Sequence, residues 1–137
     1  MSAQTDFKTI VRPKSPNTYL LAPEGLSAAA VPDETSPEFN AAPDALFDAV
    51  NALVAEHGWS VISTDKTAHK LDAIAKTKLL KFKDDIAIAV LPVEGAPEKS
   101  KIAVYSRSRV GYSDLGANRK RVQQLVGTLK QRTGTTA

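Results

Sequence analysis

The stretch Asp85-Ile-Ala-Ile-Ala-Val-Leu-Pro92, followed after Glu94-Gly-Ala-Pro-Glu-Lys-Ser100 by Lys101-Ile-Ala-Val-Tyr-Ser-Arg107, decides the fold. In the first run Ile86, Ile88 and Val90 alternate with Ala87, Ala89 and Leu91. In the second, Ile102 and Val104 alternate with Ala103 and Tyr105. Strand side chains point to opposite faces with a period of two, so each run predicts a strand with one face of large residues and one of smaller, moderately apolar ones. The large face is expected to meet helices. The small face offers room for an N-terminal arm or a second subunit.

Two further strand-like runs precede these, Trp59–Thr64 and Lys70–Thr77, joined through Asp65–His69 and followed by the connection Lys78–Asp84. Short links between consecutive strands predict an antiparallel meander. Before the meander, Leu46, Phe47, Val50, Leu53 and Val54 fall on one helical face between Pro43 and His57, with Asn40 as cap, Pro43 in the first turn and Gly58 as stop. After it, Val122, Leu125, Val126 and Leu129 give a second amphipathic helix over Leu115–Arg132. The expected fold is α+β: a two-layer sandwich of a four-stranded, mainly antiparallel sheet with two helices on one face and an extended N-terminal arm.

Six of the eight prolines lie in the first 43 residues, which excludes a long regular element there. Tyr19, Leu20, Leu21, Leu26, Val31 and Phe39 are too apolar for a solvated tail, so the arm is expected to lie on the domain. The chain therefore reads as a packed arm over 1–42, one α/β domain over 43–132 and a frayed tail over 133–137.

Cysteine is absent, which excludes disulfides, thiolate metal sites and cysteine nucleophiles. His57 and His69 form no ligand set with closely spaced carboxylates, so neither a metal nor a cofactor is expected. The N-terminal residues lack the charged start and apolar run of a leader, and no window reaches the ~18 apolar residues of a membrane span. These features predict a cytoplasmic, unprocessed protein without a membrane partner. Charge is uneven: residues 1–60 carry three Lys/Arg against eight Asp/Glu, and residues 61–137 carry fifteen against seven. The basic half points to an anionic partner, although solvated lysines on strands and helices produce the same imbalance.

The segment Ser106-Arg-Ser-Arg-Val-Gly-Tyr-Ser-Asp-Leu-Gly-Ala-Asn-Arg-Lys-Arg121 gathers arginines, serines and two glycines at a helix start. Free N–H groups and the positive end of a helix suit an anion, and a guanidinium adds a bidentate contact to phosphate or carboxylate. The candidate residues for an anion or a partner are Arg107, Arg109, Gly111, Ser113, Gly116, Asn118 and Arg121. The same residues also read as architecture: Ser113 or Asp114 caps the helix, Asp114 pairs with Arg109 or Arg121, and Asn118 ties down the loop. Gly111 and Gly116 have phosphate-loop spacing, but Ala117 and Asn118 stand where Lys and Ser/Thr are required, so a nucleotide triphosphatase is excluded. Nor does the glycine spacing fit a dinucleotide-binding turn.

The run Ser106, Ser108, Arg109, Gly111, Asp114, Gly116, Asn118 and Arg121, preceded by Phe82, Asp84 and Asp85, resembles the signature of the bacterial family catalogued as domain of unknown function 1499. The resemblance runs from about Pro43 to Leu129 and implies a shared fold and motif without an established reaction. One departure is Tyr105, at a place where members often carry arginine.

Adjacent residues of a strand point to opposite faces, so Asp84 and Asp85 cannot both serve one site. With Asp114 they are expected to form a structural ion-pair network, one of the two pairing with Arg109 or Arg121 and the other lying at the surface. No catalytic residue is assigned. The leading expectation is a non-enzymatic binding or interaction domain whose partner is a small anionic ligand or an unknown protein. Nucleic-acid binding by Arg119, Lys120, Arg121, Lys130 and Arg132 is an alternative that is not favoured, because neither a recognised motif nor an aromatic stacking pattern accompanies those charges. A further alternative is an enzyme with an Asp general base and an Arg substrate clamp. A homodimer is compatible with the small-residue sheet face.

Overall fold

The computed structural model describes residues 6–13, 17–27, 30–76, 82–111 and 114–134. Eight elements follow in chain order: β1 (Thr18–Ala22), β2 (Glu34–Thr35), α1 (Pro43–His57), β3 (Ser60–Asp65), β4 (Lys70–Lys76), β5 (Lys83–Val93), β6 (Ala96–Ser108) and α2 (Ala117–Thr133). They form an α+β fold of two helices and one mixed sheet in the order β2-β1-β6-β5-β4-β3. Thr77, the expected end of the second strand, and Thr135–Ala137, most of the expected frayed tail, lie outside the described residues.

The expected sheet of four mainly antiparallel strands is corrected to a mixed sheet of six. The four-strand meander is present, but β1 adds antiparallel to β6 with Leu20 opposite Tyr105, and β2 adds parallel to β1 with Leu21 opposite Glu34. The reason lies in burial. In Tyr19-Leu20-Leu21-Ala22, Leu21 packs towards the helices and Leu20 and Ala22 pack on the other face. A strand buried on both faces shows no polar alternation.

The helix-side core joins Ile86, Ile88 and Val90 of β5 and Ile102 and Val104 of β6 to Leu46, Phe47, Val50, Val122, Leu125 and Leu129 of the helices. Fully burying one such side chain contributes about 1.5–3 kcal/mol. On the opposite face Phe7, Ile10 and Ala30 pack against Ala87, Ala89, Ala103 and Tyr105. Arg12 fastens this N-terminal segment, lying 2.7 Å from Asp33 and donating to Thr18 Oγ1 at 3.1 Å.

Two local expectations are revised. The residue capping α1 is Ala42, not Asn40, while Pro43 opens the helix and Gly58, at φ 72°, closes it. Asn40 instead donates its backbone N–H to the Gly134 carbonyl. The second concerns the connection 94–100, which narrows to a tight turn at Gly95 with φ 78°, because β6 begins at Ala96 rather than Lys101. Pro97 is tolerated there since the register shifts between Pro92 opposite Ser100 and Val93 opposite Ala96, which releases Pro97 from regular pairing.

Candidate functional site

The register that sets Asp84 opposite Ser108 and Asp85 opposite Arg107 sends the motif residues to two faces of one sheet end. On the helix side, Asp84, Ser106 and Asn118 are each no more than 1% exposed. Arg121 reaches in from the first turns of α2. Its Nη2 lies 2.8 Å from Asp84 Oδ2, a charge contact in which the N–H is not aimed well enough to count as a hydrogen bond. Its Nη1 donates to Ser106 Oγ at 3.1 Å and to Asn118 Oδ1 at 2.9 Å. The Ser106 hydroxyl donates to Asn118 Oδ1 at 2.6 Å.

Asn118 completes the cluster. Its amide nitrogen contacts the Asn17 carbonyl at 2.9 Å, Ser108 Oγ at 3.0 Å and Asp114 Oδ2 at 2.6 Å. Asn17 donates in turn to the Gly111 carbonyl at 2.8 Å, and its own carbonyl accepts from the Ser108 N–H at 3.0 Å. The arm thereby closes a largely buried polar network in which Asp84 Oδ2 has only its charge contact with Arg121. An isolated carboxylate or guanidinium would be costly at this depth.

The start of α2 is occupied from within. Gly116, at φ 84°, stands at the cap position, and the Asp114 carboxylate accepts the Gly116 N–H at 2.8 Å and the Asn118 N–H at 3.1 Å. The Ala117 N–H goes to the Asp114 carbonyl. The donors that suited an external anion thus already hold the chain's own carboxylate. Of the candidate residues, Ser113 lies outside the described residues. Gly111 and Gly116, at φ 85° and 84°, supply left-handed backbone that other residues rarely adopt.

The other face differs. Arg109 grips Asp85 in a fork, Nε to Oδ2 at 2.9 Å and Nη2 to Oδ1 at 2.8 Å, and this carboxylate raises the guanidinium's pKa. Asp85 is therefore also paired, where the sequence left one of the two aspartates free at the surface. Arg107 is held only loosely, with Nε 3.9 Å from Asp85 Oδ2 and its side chain 55% exposed. These groups edge a groove of about 810 Å³ whose apolar walls include Ile10, Val11, Ile62 and Ile74, with Asp72 on its polar side. Tyr105 also lines it. Among the described residues its buried hydroxyl has no well-aimed hydrogen-bond partner, and burial pushes the phenol's pKa up against the opposing pull of Arg107, Arg12 and the neighbouring Thr18 hydroxyl.

The sequence reading missed Asn17 and the groove. Asn17 meets residues about a hundred positions away, which no local period reveals. The groove's arm wall follows from packing of the Phe7–Ile10 stretch, whose apolar residues were the only available signal. The basic face of α2 is smaller than its composition implies: Arg121 is engaged with Asp84, and Arg132 forms a fork with Glu56 at 2.7 and 2.8 Å. His69 Nε2 lies 2.6 Å from Asp44, and His57 stacks on Trp59. No group of three residues able to hold a metal occurs among the described residues. No helix among them is long and apolar enough to cross a membrane.

Among curated proteins, none matches this chain. A family model described as protein of unknown function (DUF1499) matches residues 11–129. The match starts well before Pro43, taking in the N-terminal strands β1 and β2 and the Asn17 that closes the buried network. The chain belongs to the DUF1499 family of proteins of unknown function.

Proposed function

We propose that this protein is a non-enzymatic binding domain, and that its ligand is a small amphipathic anion held in the groove between the arm and strands β3 to β6. The observation that carries this reading is the loosely paired Arg107 guanidinium at the rim of a groove with apolar walls. Ligand sites combine an apolar body with a few placed polar groups, and a guanidinium suits carboxylate or phosphate. The anion contact moves accordingly from the start of α2, where Asp114 takes the donors, to the end of β6. A general base is disfavoured because Asp84, Asp85 and Asp114 all sit in closed contacts rather than opening towards a reacting group.

Calorimetric titration with decanoate and with inorganic phosphate tests the reading. Decanoate is expected to bind, phosphate to bind more weakly, and Arg107→Ala to weaken decanoate at least about tenfold, the loss of one charge-assisted contact. Absence of decanoate binding, or equal binding by a folded Arg107→Ala variant, would sink the proposal.

A further inference from the structure

The loops at the Asp84 end of the sheet carry a second feature, made of residues the groove does not use. Phe82, immediately before β5, is 47% exposed, Val110, just after β6, 51%, and Leu115, just before α2, 93%. The three stand at one end of the molecule. Asp84 lies opposite Ser108, and the Arg109 N–H donates to the Lys83 carbonyl, which continues the register and places Phe82 across from Val110. Leu115 sits in the same β6–α2 connection, at φ 54°. A bulky residue is an outlier in left-handed backbone, which glycine or asparagine occupies with less strain. Local conformation therefore does not select leucine at this position.

Cations lie at the same end, two of them on the groove face of the sheet and one on the helix side. Lys76 and Lys83 are exposed and face each other across β4 and β5, and Lys120 is exposed on the first turn of α2. The carboxylates of this end are already engaged: Asp84 by Arg121, Asp85 by Arg109 and Asp114 by backbone N–H groups. Among the described residues, the exposed side chains at this end include three apolar ones and three lysines.

We infer that this end of the domain docks on an anionic bilayer surface, with Phe82, Val110 and Leu115 entering the headgroup boundary and Lys76, Lys83 and Lys120 meeting lipid phosphates and carboxylates. Apolar insertion and basic attraction are the two components of reversible peripheral binding, and each is weak alone. The sequence expectation of no membrane partner rested on spans and leaders, which such docking does not need. A nucleic acid would use the same lysines, but exposed aliphatic side chains such as Val110 and Leu115 have no role on a phosphate backbone, so the bilayer is favoured.

The test is co-sedimentation of the full chain with vesicles of phosphatidylcholine alone or with about a third phosphatidylserine. The protein is expected to pellet with the anionic vesicles only, and less as salt rises. Phe82→Ser with Leu115→Gly is expected to lower the bound fraction at least fivefold. Leu115→Gly alone, which removes a strained backbone position and should hold or raise Tm, is expected to lower binding as well, so that loss cannot be ascribed to unfolding. Lys76→Glu with Lys83→Glu is expected to abolish the preference for anionic lipid. No pelleting with anionic vesicles at low salt overturns the inference, as does unchanged pelleting by the Phe82/Leu115 variant. Retention of a single-stranded oligonucleotide under conditions that leave vesicles unbound overturns it in favour of nucleic acid.

Discussion

Asp84 and Asp85 are consecutive residues of β5, each paired with an arginine at 2.8 Å, yet they belong to two different kinds of site. Asp84 points under α2 into a network that includes Ser106, Asn118 and Arg121, in which only the arginine side chain, 14% exposed, reaches the surface. Asp85 points to the other face, where Arg109 and Arg107 remain half exposed beside a groove. The residue types are the same and the faces are not. Burial makes the first pair obligatory, because each charge depends on the other. Solvent makes the second optional, because water replaces a lost partner.

The comparison breaks most visibly at Arg121. Arg121→Ala leaves the Asp84 carboxylate buried without its cation and is expected to cost about 3–5 kcal/mol in urea denaturation. An apolar pair, Asp84→Leu with Arg121→Met, should recover much of that loss, since isosteric replacement of both partners removes the desolvation cost as well. A small effect from Arg121→Ala alone would mean that water reaches Asp84 and that the two faces differ less than the structure indicates.

Tyr105 sharpens the contrast from the groove side. Its ring is packed under the arm and its hydroxyl has no well-aimed partner among the described residues, Thr18 being its polar neighbour, so Tyr105→Phe is expected to hold stability or raise it by up to about 1 kcal/mol, measured as a shift in the urea midpoint. A fall instead would show that the hydroxyl holds a bond in solution. On the helix side, removing any comparable polar atom, such as the Asn118 amide, goes the other way.

A smaller effect, visible only through pH, belongs to the Tyr19–Glu34 contact, where the phenol donates to Glu34 Oε1 at 2.6 Å. Burial, aided by that bond and by the carboxylate's charge, pushes the Tyr19 pKa up to about 12. The unfolded phenol ionises near about pH 10, so the stability linked to Tyr19 is whole below that pH and is lost as pH climbs towards about 12. The same bond lowers the Glu34 pKa, ahead of the opposing effect of burial, so its contribution is present above the ordinary glutamate range and is lost as pH falls through the folded value. Tyr19→Phe should flatten both limbs of the stability–pH curve. Identical curves for variant and wild type would remove the linkage.

How much of this was legible before the structure depends on period and range. Helices α1 and α2 and the four-strand meander carry regular spacing, and the opposite facing of Asp84 and Asp85 follows from a period of two. Strand β1 was not legible, because Leu20 and Leu21 are buried on opposite faces and leave no alternation to read. Strand β2 is two residues, Glu34–Thr35, and carries no pattern of its own. The motif marked where chemistry gathers, but its central tie, Asn118 to the Asn17 carbonyl, joins residues 101 positions apart. The glycines and arginines at the α2 start suggested an external anion because sequence does not show that Asp114 folds back onto the same N–H groups.

The smallest effect on stability is expected at Arg109, and it carries the functional side of the comparison. Its fork with Asp85 has the same length as the buried pair, so distance alone predicts equal importance. Exposure predicts otherwise: Asp85 released from Arg109 is partly solvated and still has Arg107 near it, so Arg109→Ala should leave Tm unresolved from the wild type. Binding should respond where stability does not. Freed from Arg109, Asp85 draws Arg107 closer and removes the loosely held guanidinium from the groove, so decanoate affinity should fall in Arg109→Ala although Arg107 is intact. Asp85→Asn should act in reverse and strengthen the anion, because neither arginine is then neutralised. If Arg109→Ala instead destabilises the protein as much as Arg121→Ala does, the groove-side fork is architecture too, and the division between the two faces fails.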